Sequence, residues 1–326
     1  MAVYILKRLL QSLVLIFMVL TITFFLLHLA PGDPMARYEN PEIPPETVEM
    51  MRARLGLDDP LPIQYVKWVS RFCRGDFGVS FQYNRPVSEL IADAVPDTLR
   101  LTIPALILYV VTGVLLGLIS AARKDSIFDR VGTVTALLVY SIPSFWLSLM
   151  LIYIFSLKLG ILPSSHMQSL GMEGAGWLEL LADRLKHLIL PAFVLGIASA
   201  AGMARYMRGS MIDILQQDYI RTARAKGLFG NKVFFKHAFR NAALPVVTLV
   251  GLSFPFLLGG SVVVEQIFSW PGMGRLAVNA IYTRDYPVVL AVNFVVGVMV
   301  IIGNLLADIG YAALDPRITY GGKKND

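Results

Sequence analysis

Hydrophobic residues along the chain gather into six long runs separated by polar stretches of unequal length. The runs cover approximately residues 9–29, 101–122, 131–157, 188–206, 244–264 and 288–306. Each is close to the roughly 20 apolar residues needed to cross a bilayer core. Arg205, at the end of the fourth, is the one Asp, Glu, Lys or Arg in any of them. The pattern predicts an all-α polytopic membrane protein with six transmembrane helices. The first run follows Lys7 and Arg8, as a signal peptide would. It is longer than the usual ~7–15 apolar residues of a signal peptide, so a retained helix is expected. Pro143 and Pro255 fall inside the third and fifth runs. They interrupt backbone bonding at mid-span, which is tolerated where protein or a cavity satisfies the freed groups.

The polar stretches carry their own pattern. Residues 31–98 contain Tyr65, Trp68, Val69, Phe72, Phe77 and Phe81, enough apolar surface for a small folded cap. A helix is expected over 45–55, with Glu46, Thr47 and Glu49 suiting its first turn. Residues 205–243 are basic, with 8 Lys and Arg against Asp213 and Asp218, and no proline before Pro245. Helices are expected there, broken near residues 227–230. The expected organisation is an N-terminus and first helix over 1–30, an outer domain over 31–98, and a five-helix core over 99–326 that includes the 205–243 loop. Lys and Arg are about twice as dense on the side that holds both termini and the 123–130 and 205–243 loops. By the positive-inside rule both termini are expected in the cytoplasm.

Composition narrows the function. Hydrophobic residues make up 56% and charged residues 16% of 326 residues, with a mean hydropathy of +0.61. Soluble domains carry about 25% charge, and disorder needs low hydrophobicity, so both classes are excluded. The net charge of +6 needs no nucleic acid, because the 205–243 loop alone accounts for an excess of that size. Cys73 is the single cysteine, which rules out an intrachain disulfide. The chain contains no G-x-x-x-x-G-K-[ST] phosphate loop and no G-x-S-x-G, H-E-x-x-H or G-x-G-x-x-G motif. No ATP-binding or catalytic role is therefore expected of it. His28, His166, His187 and His237 are scattered, and no metal site is expected. Ion-driven carriers usually place ionisable residues within their spans, and these spans are almost free of charge.

What remains inside the spans is polar but uncharged: Tyr140, Ser141, Ser144 and Ser148 in the third, Thr248, Ser253 and Gly259–Gly260 in the fifth, Asn293 and Asn304 in the sixth. Such residues let helices pack closely, or they line a wet path. Tyr140, Ser144 and Ser253 are the candidates for a path or gate, together with Glu265 at the edge of the aromatic 268–288 segment. That segment, with Phe268, Trp270 and Met273, is either an interfacial anchor or a re-entrant hairpin. Glu265 could there meet a delivering protein or a substrate amine.

The most informative stretch runs from Asp218 to Val247. Arg221, Thr222, Ala223, Arg224, Ala225 and Lys226 make a short, basic, small-sided helix that Gly227 would end in a left-handed turn. It could dock in a groove of another protein, lie solvated, or bind anionic lipid. The segment resembles the EAA loop of ABC importer permeases, in the version of the dipeptide/oligopeptide branch: Tyr219, then Arg221 to Gly227, then His237 to Pro245. Arg221 and Thr222 replace the Glu and Ala of the generic pattern, as they do in that branch. Further blocks agree in order: Ala30 to Pro34, Leu55 to Asp58, Pro62 to Tyr65, Arg74 to Gly78, Arg85 to Val87, Glu265 to Gly274, Arg284 to Pro287 and Asp315 to Arg317. The long domain after the first span is similar to the first of the two permeases in such systems.

The resemblance implies a type I importer permease fold in a bacterial inner membrane and a heteromeric complex. Its partners would be a second permease, two ATPase subunits carrying ATP and Mg, and an extracytoplasmic binding protein. No cofactor is implied for this chain. The residues implied for coupling to the ATPase are Arg221, Thr222, Ala223, Arg224, Ala225, Lys226 and Gly227. The cargo implied is di- or oligopeptides, with nickel chelates, glutathione or oligosaccharides as the alternatives within the branch. From another class, a stand-alone channel or ion-coupled carrier is the competing reading, and a docking protein without transport is a third.

Overall fold

A computed structural model describes residues 2–33, 35, 45–172, 174–228, 230–253 and 262–314. Among them the chain is helical, with one isolated bridge between Val79 and Pro86 and no strand. The helices are α1 (Ala2–Leu29), α2 (Pro45–Leu55), α3 (Leu61–Phe72), α4 (Val87–Ala122), α5 (Ile127–Ser141), α6 (Ser144–Leu151), α7 (Trp177–Leu215) and α8 (Asp218–Ala225). They continue with α9 (Leu244–Ser253), α10 (Val262–Ile267), α11 (Met273–Tyr282) and α12 (Tyr286–Leu314). Two segments wind as π-helix: Ile152–Lys158, which extends α6, and Val233–Phe239, between α8 and α9.

Four of these helices, α1, α4, α7 and α12, are long and apolar enough to cross a membrane. The third hydrophobic run is not one straight helix. Ile127–Ser141 and Ser144–Lys158 meet at 98°. The cause is local: proline disfavours the helical conformation in the residue before it, and Ile142 is extended at φ −75, ψ 125. The two pieces count as one further span if taken together. The fifth run begins as α9, while Pro255, Gly259 and Gly260 lie outside the described residues.

The centre of the molecule is the α4–α7 pair, its most extensive helix contact. Glycine makes this closeness possible. A Cβ on Gly113 would lie 2.5 Å from the Met203 side chain, and one on Gly117 would lie 2.6 Å from Met207 and 2.7 Å from the Ala204 carbonyl. From the other helix, a Cβ on Gly196 would lie 2.6 Å from the Ala105 carbonyl. Small residues at this spacing are how membrane helices approach without a hydrophobic drive between them. Met203, Met207 and Met211 are fully buried as a result.

The segment that follows α1 is itself helical and packs on α1 and α12. Its helix over 45–55 is present. A second helix, α3, stacks Trp68 on Phe24 of α1 (centroids 5.2 Å apart) and sets Phe72 against Phe294 of α12 (5.0 Å). The expected division at residue 98 falls inside α4, which starts at Val87 and runs unbroken into the membrane core. Cap and core therefore share a helix. They are also joined by Asp285, which is fully buried. It accepts the Phe81 and Gln82 amides at 3.0 and 3.1 Å and the Ser80 hydroxyl.

Candidate functional site

The basic segment expected to couple to a partner is an exposed helix on a buried anchor. In α8, Ile220 and Ala223 are buried. They pack with Met207 and Met211 of α7 and with Val233, Ala238 and Ala242 of the following helical run. Arg221, Thr222, Arg224, Ala225 and Lys226 face outward. Four of the seven expected coupling residues thus present polar or charged side chains, Ala225 supplies a small exposed surface, and Ala223 is part of the anchor. Arg221 lies 3.5 Å from Asp218 one turn back, a solvated contact of the kind that contributes little.

Gly227 ends the helix at φ +78. Its amide donates to the Arg224 carbonyl at 2.9 Å, and the Leu228 amide donates to the Ala223 carbonyl at 3.3 Å. These two bonds are a Schellman closure, whose left-handed residue is normally glycine. Nothing lies within 4 Å of a Cβ built on Gly227, so backbone conformation, not space, requires glycine there. Asn241 donates to the Tyr219 hydroxyl at 3.0 Å and to the His237 carbonyl at 3.2 Å. The two halves of the motif are therefore in contact across the turn.

The path candidates fare differently. Ser144 and Tyr140 are exposed on either side of the 98° bend. Ser253 is half-buried and donates to the Leu249 carbonyl of its own helix at 2.7 Å. Tyr109, on α4, lies close to Ser253 and to Tyr140. Sequence reasoning missed Tyr109, which is indistinguishable from other apolar-face aromatics until α4, α5 and α9 are placed. Ser141 and Ser148 bond their own helix backbone.

Glu265 is not at an edge where a substrate or delivering protein could meet it. It is wholly buried. Its carboxylate accepts the Gly274 amide at 2.7 Å, the Arg275 amide at 3.1 Å and the Thr98 hydroxyl at 3.2 Å. It thus caps the N-terminus of α11, where negative charge is favoured, and ties that helix to α4. Burial raises its carboxyl above the usual range, opposed by these three donors. Phe268 and Trp270 are also buried, at 2% exposure each, so an interfacial anchor is not their role. Trp270 sits between α4 and α7 and donates its indole N–H to the Asp97 carbonyl at 2.7 Å. The 262–285 segment is a packed hairpin that lies against the first half of α4 and against α7.

A last buried group joins three helices near α8. Asp129 in α5 accepts both arms of Arg208 from α7, at 2.7 and 2.6 Å. It also accepts the Asp125 amide at 3.0 Å and lies beside Ser120 of α4.

Two family profiles account for nearly the whole chain. Residues 113–320 match the binding-protein-dependent transport system inner membrane component, and residues 1–102 match the N-terminal part of such membrane components. The chain belongs to this family. The permease is 46% identical over 321 residues to the oligopeptide transport system permease protein AppB of Bacillus subtilis (strain 168), covering 98% of this chain and 100% of that protein. It is 42% identical over 317 residues to the glutathione transport system permease protein GsiC of Escherichia coli (strain K12), covering 97% and 99%. Among solved structures, the inward-facing MetNI methionine ABC transporter matches with a TM-score of 0.53 at 16% identity, over 70% of this permease and 97% of that chain. The fold is thus that of an ABC importer permease, and the permease is a multi-pass inner membrane component.

Proposed function

We propose that this permease forms half of the translocation path of an ATP-driven importer of small peptides and takes its motion from ATPase subunits through α8. One observation carries the coupling role: a short basic helix, fixed at its back by Ile220 and Ala223 and at its end by a Schellman turn, with Arg221, Arg224 and Lys226 left outward. A rigid exposed helix suits docking in a partner's groove better than a loop would, since displacement is not lost in bending. The similarity to an oligopeptide permease at 46% identity supports the peptide cargo. A second permease, two ATPases with ATP and Mg, and an extracytoplasmic binding protein complete the complex. Alternation between two conformations, biased by ATP and by the loaded binding protein, accounts for directional transport. The similarity to a glutathione permease favours a second cargo of the same chemical class.

Two substitutions test the coupling. Arg224→Glu reverses a charge on the exposed face, and Gly227→Val forces a β-branched residue to φ +78, a strain of about 1–3 kcal/mol. Both complexes are expected to assemble, with uptake and substrate-stimulated ATPase activity reduced about tenfold. Wild-type values for both would remove α8 from the coupling role. Cargo is read by competition: unlabelled di- and oligopeptides and glutathione are each set against uptake of a labelled peptide. Absence of competition by any of them would remove the peptide class.

A further inference from the structure

A route leads from the coupling helix through α7 to the bent third span. The Met207 and Met211 side chains of α7 pack on Ile220 and Ala223 of α8. On the same stretch of α7, Arg208 reaches across to α5. Its guanidinium makes a two-pronged contact with Asp129, whose side chain is 3% exposed against 29% for Arg208. Arg–carboxylate forks of this kind fix orientation as well as distance. Asp129 is held from its own side as well. Ser126 caps α5 by accepting the Asp129 amide at 3.2 Å, the Asp125 amide donates to the carboxylate at 3.0 Å, and Ser120 of α4 lies beside it. Further along α5 come Tyr140 and the 98° bend at Ile142–Pro143.

A groove of about 100 Å³ lies beside this contact, lined by Phe128, Gly132 and Tyr140 of α5, Gly202 and Arg208 of α7, and Leu116 of α4. A Cβ on Gly202 would lie 3.7 Å from the Tyr140 ring, so the two helices meet there by van der Waals contact alone. Among the described residues the fork is the ion pair between them.

We propose that the Asp129–Arg208 fork is the strut that carries displacement of α8 and the end of α7 into the bent α5–α6 span. Both residues are positioning residues for transport, touching neither cargo nor nucleotide. The inference rests on the coupling role of α8 proposed above.

The test uses the assembled transporter in proteoliposomes and reads peptide imported per ATP hydrolysed. Asp129→Asn keeps the shape and removes the ionic fork. It is expected to leave basal ATPase activity and subunit composition as in the wild type, and to lower import per ATP about threefold or more. Arg208→Lys keeps the charge without the fork, and its ratio is expected to fall between the two. If Asp129→Asn fails to assemble, Arg208→Lys decides alone: a reduced ratio supports the strut and a wild-type ratio overturns it. A second readout separates the strut from mere stability. Cys73 is the sole cysteine and is exposed. In a Cys73→Ser background, spin labels at positions 138 and 216 report the α5-to-α7 separation. The strut requires one narrow distance with and without ATP, and a broadened distribution in Asp129→Asn. An unbroadened distribution with a wild-type ratio overturns it. Arg224→Glu serves as the reference: if it too transports normally, the coupling role of α8 has failed. If it is defective while Asp129→Asn is normal, the strut alone has failed.

Discussion

Single side chains with several donors converging on them hold this permease together at its two ends. Asp285 is the outer example. Replacing it by Ala leaves two backbone amides and a hydroxyl buried without an acceptor, at about 1–3 kcal/mol for each group left unsatisfied. The expected outcome for Asp285→Ala is a lower melting temperature in detergent and faster protease cleavage within residues 73–86. Cleavage at the wild-type rate would show that the turn is held by other contacts. Glu265 plays the matching part for the hairpin. A Cβ on Gly272 would sit 2.5 Å from its carboxylate and 2.4 Å from the Thr98 hydroxyl. Gly272→Ala is therefore expected to destabilise more than its single methyl suggests, measurable in the same melt. None of these partnerships was legible in the sequence. Ser80 and Asp285, or Asp129 and Arg208, are separated by 205 and 79 positions, and a lone charge near a helix end looks the same whether buried or solvated.

At the scale of elements, periodicity carried most of what could be known. The 45–55 helix and the basic helix ended by Gly227 appear where the pattern put them. The α3 helix is not among the expected elements, although Tyr65, Trp68, Val69 and Phe72 stand at the i, i+3, i+4, i+7 spacing of one helical face. The start of α4 was set too late for a related reason. Val87, Leu90, Ile91 and Ala94 form an amphipathic stretch that precedes the uniformly apolar run, and a hydropathy count registers only the latter. The bend at Pro143 was anticipated as a break in bonding, but its angle depends on what each half packs against. For α4 and α7 the decisive element is the glycine stripe. Gly117→Val would drive a branched side chain into Met207 and the Ala204 carbonyl. The expected result is a large loss of folded permease by fluorescence-detected size exclusion. Gly209→Ala, on the same α7 but with nothing within 4 Å of the added carbon, is the control. It is expected to be neutral or stabilising by up to ~1 kcal/mol, since glycine disfavours helix.

For the whole molecule, the arrangement is a pair of close-packed helices with an attachment at each end. At one end, Glu265, Trp270 and Asp285 fasten the hairpin and the cap. At the other end, α8 and the Asp129–Arg208 fork fasten the basic surface. Trp270→Ala tests the outer fastening, because the indole fills the space between α4 and α7. A loss of about 3–5 kcal/mol is expected for a buried Trp truncation, with a corresponding fall in melting temperature. An unchanged melt would mean that Glu265, the Thr98–Met273 bond and the packing of Met273 hold the hairpin without the indole.

The unbroken α4 has a mechanical meaning. Its 36 residues make a rod about 54 Å long at 1.5 Å per residue, against a hydrocarbon core of ~30 Å. Pro96 and Pro104 both lie in its outer half, so that is where it can flex. From Pro104 to Ala122 it contains no further proline, so that stretch turns as one piece with the α7 residues packed on Gly113 and Gly117. The cap is then a handle joined to a stiff shaft through a pliant neck.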